Sequence, residues 1–240
     1  MKNTLKFLLA ALLMCVIPIG SNAQFLKKIS KTLNTGTATS LTEKEAGDGI
    51  KEALIQGTNQ GVTLLSAVDG YFGNPEIKIP FPPDASMVES RLRAVGLGSE
   101  IDKAILSINR AAEDAAKEAK PIFVSAIGGM SISDAIGIVK GADNAATQYL
   151  RKTTSAELTS KFKPVIKTSL DKVNATKYWT DLINTYNKIP MVQKMNPDLA
   201  AYVTDQAITG LFIMIAKEEL KIRKDPVART TELLKKVFAN

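Results

Sequence analysis

The sequence predicts an all-α fold: a single-domain multi-helix bundle with one extended Pro-rich loop and a central apolar helix. Three observations predict it. Apolar residues recur at helical spacing from Thr42 almost to the C-terminus. Capping patterns open those segments, and Gly or Pro closes them. One stretch, Ala207-Ile208 through Ile215-Ala216, is nearly unbroken in apolar residues, as expected of a helix surrounded by others.

The first 23 residues read as a signal peptide. Lys2 and Lys6 form a positive region, and an apolar stretch of about 13 residues follows from Phe7 to Ile19. Ser21-Asn22-Ala23 supplies the small residues of a cleavage site before Gln24. A membrane span needs roughly 20 apolar residues, so a retained anchor fits less well. Cys15 raises lipidation as an alternative. Leu12-Leu13-Met14 lacks the small residue expected before a lipidated cysteine, and the apolar segment runs on past it. Residues 24–41 are then a linker and 42–240 a single helical domain. The expected destination is the periplasm, with a peripheral place at the outer membrane as a variant. After cleavage the chain is not expected to be an integral membrane protein.

Each element has its own signal. Thr42-Glu43-Lys44-Glu45 is a capping box. The helix behind it places Ile50, Leu54, Gly57, Gly61, Leu64 and Val68 near one face. The glycine pair, four apart, suggests a closely approaching backbone or else a weaker helix. Gly70 to Pro83 breaks the pattern. Gly73-Asn74-Pro75 is turn chemistry. Ile77, Ile79 and Phe81 alternate, but Pro80, Pro82 and Pro83 forbid a regular central strand. The expectation is an ordered extended loop with those three side chains inward. Asp84 is the expected cap of a helix to Val95, closed by Gly96 or Gly98. Ser99 is the expected cap of the next, whose stripe is Ile101, Ala104, Ile105, Ile108, Ala112, Ala115 and Ala119, continued by Ile122 and Phe123. Its alanines imply tight helix contact rather than a roomy pocket. Pro121 should kink or restart it, and Gly128-Gly129 should end it. Ser131 caps a short helix to Val139. Another runs from Asn144 to Thr153, and Thr154-Ser155-Ala156-Glu157 reads as a second capping box. Tyr178, Trp179, Leu182, Ile183 and Tyr186 mark a further helix. Asn196-Pro197 should open the central apolar helix, whose apolar run of about ten residues is too short to span a bilayer. Asp225-Pro226 should open the last helix.

Composition removes much chemistry. The chain has no histidine, and its one cysteine, Cys15, lies in the signal segment. No Ser-His-Asp relay, Cys-His nucleophile, disulfide, or His- or Cys-ligated metal is available to the mature chain. The net charge of +7 becomes +5 once Lys2 and Lys6 are removed. Its densest clusters are Lys27-Lys28 with Lys31, and Lys217, Lys221, Arg223 and Lys224 interleaved with Glu218 and Glu219. Neither forms a basic stripe with stacking aromatics, so no nucleic-acid partner is expected. A metal would need oxygen ligands alone, and no loop has calcium-site spacing. Gly128-Gly129 lacks the lysine of a phosphate loop. No cofactor and no metal is expected.

Several stretches carry a family resemblance: Gly73-Asn74-Pro75, Asn109-Arg110-Ala111-Ala112-Glu113, Asp143 with Ala145-Ala146-Thr147, Tyr186-Asn187, Asp198 with Tyr202-Val203-Thr204, Gly210-Leu211-Phe212, and Ile222-Arg223 with Ala228-Arg229-Thr230. From Gly49 to Phe238 the chain resembles the exported bacterial family catalogued as domain of unknown function 4197. The resemblance implies a helical exported protein of Gram-negative bacteria and no particular activity. The polar residues of these stretches leave two readings. Arg110, Asp134, Asp143, Glu218, Arg223 and Arg229 tie helix ends together, or Arg110, Asp143, Glu218, Arg223 and Arg229 line a site for an anionic ligand. Arg110 lies opposite its apolar stripe, where solvation is expected. The function expected is that of a non-enzymatic binding or interaction protein with a protein partner or an apolar or anionic ligand. The alternative is a carboxylate-based hydrolase or lyase, with Asp143 or Glu218 as base and Arg223 or Arg229 holding an anion.

Overall fold

The computed structural model describes residues 42–188, 190, 191, 193–228 and 235. The expected signal peptide and linker, Arg229 and nearly all of the expected last helix lie outside the described residues. The elements are α1 (Glu43–Ser66), α2 (Ser86–Ala94), α3 (Gly98–Ala116), α4 (Ala119–Gly128), α5 (Ile132–Lys140), α6 (Ala145–Asp171), α7 (Ala175–Tyr186) and α8 (Leu199–Lys224). Short 3₁₀ turns stand at Pro83–Ala85 and Pro226–Ala228. The fold is all-α.

Helix α8 is the hub, packing against α1, α3, α6 and α7. Leu211, Ala207 and Val203 have no exposure at all. Phe212 meets Phe123 of α4 edge to face, with ring centres 6.1 Å apart. A buried side chain of that size contributes about 1.5–3 kcal/mol. The helix runs 26 residues, much longer than its apolar run suggests, so by length and composition it could cross a membrane. In this fold 56% of its most apolar window is buried against the other helices.

The glycine pair of α1 marks where α8 comes close. A methyl group on Gly61 would lie 4.0 Å from the backbone nitrogen of Ile215, and one on Gly57 would lie 3.3 Å from the Ile222 Cδ1. The buried stripe of α1 is Ile50, Leu54, Thr58, Val62 and Leu65. Leu64 and Val68 are exposed, contrary to the sequence pattern. The helix ends at Ser66, so Val68 no longer follows the helical period.

The caps are partly as expected. Thr42 and Ser131 each close a capping box, with Glu45 and Asp134. Four sequence expectations fail for identifiable reasons. The prolines carry the chain through a 3₁₀ turn, so α2 starts after Ala85 and Asp84 caps nothing. Gly96, at φ +87°, lets Leu97 N–H donate back to the Leu92 carbonyl (2.9 Å); α3 therefore starts at Gly98, before Ser99. Thr154 opens no helix. Its hydroxyl donates to the Leu150 carbonyl (2.6 Å) in the middle of an unbroken α6, which also continues through Pro164. Asp198, not Asn196, caps α8 by accepting the Ala201 N–H (2.9 Å), while Asn196 holds the turn before it. The chain beyond α8 enters a 3₁₀ turn at Pro226–Ala228.

The Pro-rich loop is ordered and docked. Ile77, Ile79 and Phe81 are buried, as their alternation predicts. Asn74 accepts from Ile77 N–H and Lys78 N–H, closing the Gly73-Asn74-Pro75 turn. Tyr71 runs fully buried to α8, where its hydroxyl donates to the Ala207 carbonyl (2.7 Å). Opposite it, Gly210 has no room for a side chain: a Cβ there would stand 2.9 Å from the Tyr71 ring.

Candidate functional site

Three places gather polar or concave features. The first lies where α5, α6 and α8 meet. Glu219 projects from α8 onto the start of α6. It accepts the Ala146 and Thr147 N–H groups (3.0 and 2.9 Å) and the Thr147 hydroxyl (2.7 Å). Its buried carboxylate therefore caps a helix from another element. Arg223, one turn on, donates to Glu219 and to the Ile138 and Val139 carbonyls at the end of α5. Beside them is a cavity of about 30 Å³, room for about one water by the usual measure.

The remaining sequence candidates distribute as follows. Asp143 pairs with Lys224 at 3.0 Å on the surface. Glu218 is buried, with Oε2 lacking a hydrogen-bond partner among the described residues and Lys221 Nζ 4.0 Å away. Arg223 and Asp143 thus share one end of α8. Arg110 belongs elsewhere, and Arg229 lies outside the described residues. No three Asp, Glu, His or Cys side chains among the described residues cluster to hold a metal ion.

The second place is the root of the loop. Arg110 is paired rather than simply solvated: it donates to Glu113 (2.6 Å) and Asp69 (2.8 Å). Glu113, 4% exposed, in turn accepts the Tyr71 and Phe72 N–H groups. Asp69 adopts φ +68° at this turn. Burial, and then the charge of Glu113, push the Tyr71 phenol far above its ordinary pKa, so it stays a donor. All these contacts fasten the loop to α3.

The third place is a cleft of about 560 Å³ between α2, α3 and α7, floored by Phe81 of the loop and Leu199 of α8. Its walls include Leu92, Ile101, Ala104 and Trp179. Here the alanine-tight expectation for the stripe holds at three of its four alanines and fails at Ala104. Ala112, Ala115 and Ala119 are fully packed, whereas Ile101 and Ala104, two to three turns earlier, stand across open space from α7. Trp179 meets Phe81 edge to face, with ring centres 5.5 Å apart. Its indole N–H has no partner among the described residues. Val173, Tyr178 and Leu182 continue the apolar surface outward, 52%, 67% and 37% exposed. Sequence reasoning marked Tyr178, Trp179 and Leu182 only as members of a helix, because core and cleft share one periodicity. It missed Asn109, Glu113 and Glu219 as anchors, although each stood in or beside a stretch already singled out.

Residues 40–239 match the family described as "Protein of unknown function (DUF4197)", and the chain belongs to it. No curated protein matches the chain, and no solved structure does.

Proposed function

We propose that this is an exported, periplasmic, non-enzymatic binding protein whose ligand enters the cleft between α2, α3 and α7. The cleft carries the reading. Its volume of about 560 Å³ falls within the range of small-molecule sites, about 300–1,000 Å³, and its lining is mostly apolar. The charged residues support the same reading from the other side. Arg110, Asp143 and Arg223 are engaged by partners within the chain. The hydrolase alternative needs two carboxylates and an arginine facing one concavity. The cavity beside Glu219 and Arg223 is about 30 Å³ and takes no substrate. Export rests on the positive start, the apolar stretch and Ser21-Asn22-Ala23.

Native mass spectrometry of the protein purified from the periplasm tests both halves. The expected species begins at Gln24 and carries a bound small molecule that dissociates on activation. A chain retaining Cys15 with acyl groups would overturn the processing. A ligand-free chain with measurable hydrolase turnover would overturn the binding role.

A further inference from the structure

We infer that the cleft takes the hydrocarbon chain of a single amphiphilic molecule, leaving the polar end at the mouth beside Glu100 and Lys103. This rests on the binding-protein reading and narrows its ligand.

The lining of the cleft is mostly apolar. On the walls from α2, α3 and α7, Leu92, Ile101, Ala104 and Leu182 are aliphatic, and Tyr178 and Trp179 add aromatic surface. The Ser107 hydroxyl is spent on the Lys103 carbonyl (2.9 Å). The Trp179 indole N–H is sealed from solvent, and so from the cleft as well. A polar group pushed inside would lose its water and gain no partner. The Phe81 and Trp179 rings are already engaged with each other edge to face and Tyr178 is mostly exposed, which leaves aliphatic surface as the main contact inside. Polar groups return only at the mouth. Glu100 and Lys103 pair there at 2.8 Å, 60% and 71% exposed. One acid and one base nearly cancel, so the mouth selects a head group weakly by charge. An apolar interior with a polar rim matches a molecule with one apolar end and one polar end. The exposed Val173 and Leu182 continue the apolar track for a chain longer than the cleft.

The chain has one tryptophan, Trp179, on the cleft wall, so intrinsic fluorescence reports the site directly. The probes are butanoate, octanoate and dodecanoate below their micelle concentrations, with anilinonaphthalenesulfonate as a displaceable dye. Ala104→Phe fills the cleft. Leu182→Glu charges its wall at a partly exposed position, and so tests the site even where Ala104→Phe does not fold. Val124→Glu, on α4 away from the cleft, is the control.

The expected result is dye displacement and a Trp179 emission shift that strengthen with chain length. Affinity falls at least tenfold in both cleft variants and is unchanged in Val124→Glu. Dye binding that the cleft variants abolish, with no competition at any chain length, would overturn the chain ligand and leave the binding reading standing. Wild type that binds neither dye nor chain would overturn both. Concentration-dependent dimerisation lost in Leu182→Glu, without ligand binding, would make the cleft an interface between copies and sink the proposal.

Discussion

The Asn109 carboxamide holds the backbone of Ile79 at both ends. Its Oδ1 accepts the Ile79 N–H (2.9 Å), and its Nδ2 donates to the Ile79 carbonyl (2.8 Å). A side chain of α3 thereby does for the loop what a neighbouring strand does within a sheet. Pro80, Pro82 and Pro83, on either side of Phe81, restrict the segment further and lower the entropy lost on docking. Asn109→Leu would leave two buried backbone groups unpaired, at about 1–3 kcal/mol each. We expect the Tm to fall by roughly 5–15 °C. Limited proteolysis should then nick residues 73–81, which stay intact in the wild type. An unchanged Tm with the loop still protected would show that the carboxamide is dispensable.

Two glycines should respond oppositely to alanine. Gly61 has space: its methyl would rest 3.7 Å from the Ile215 Cγ1, an ordinary contact. Gly61→Ala should stabilise the helix by about 1 kcal/mol. Gly210→Ala would drive a methyl to 2.9 Å from the Tyr71 ring and 3.2 Å from Ile77, and should cost about 1–3 kcal/mol. Denaturant titration of the two variants side by side checks the sign of each.

Glu219→Ala should be among the most damaging single changes. It uncaps α6 and removes the carboxylate partner of Arg223, whose side chain is 11% exposed. Removing one member of such a pair costs about 3–5 kcal/mol. Because the two residues act as a unit, Glu219→Ala with Arg223→Met should cost less than the two separate losses combined. A double-mutant cycle by equilibrium unfolding measures the coupling, and additive losses would mean that the two act independently.

Stability should be flat from about pH 5 to 9 and fall outside that range. With no histidine, no side chain of ordinary pKa titrates between about pH 5 and 8. Lys163 holds the Asp198 carboxyl below its ordinary value, and the Ser131 hydroxyl does the same for Asp134. Groups depressed in this way stabilise the fold above their unfolded pKa of 3.8, and that contribution disappears as pH falls through the folded value. On the alkaline side, burial raises Tyr202 to about 12 and Tyr71 further still. Their contribution is complete below the unfolded value of 10.0 and is lost as pH rises. Asp198→Asn should flatten the acid limb in melts monitored by circular dichroism. A midpoint near pH 6.5 would contradict this account.

What the sequence revealed was local. The Thr42 and Ser131 boxes are readable because donor and acceptor lie three residues apart. The inward set of Ile77, Ile79 and Phe81 follows from a period of two. Thr154 also looked like a box because the pattern does not say whether the chain leaves the helix there. The anchors stayed hidden because their partners are remote: Tyr71 and Ala207 are 136 positions apart, and Glu219 and Ala146 are 73 apart. The cleft stayed hidden because an apolar stripe does not record whether a neighbour touches all of it. The sequence left Arg223 and Asp143 either as ties between helix ends or as ligand contacts, and the structure pairs them with Glu219 and Lys224.

Helix α8 comes last among the described helices, yet the glycine pair of α1, the Tyr71 hydroxyl and the start of α6 all wait for it. Until residues 199–224 have left the ribosome, those surfaces have nothing to close on. Order of synthesis and order of burial therefore run against each other, since the surfaces that α8 covers are made before it. A protein passed unfolded through a secretory channel, as proposed here, needs that delay. Placing the core helix after the other described helices builds that delay into the topology.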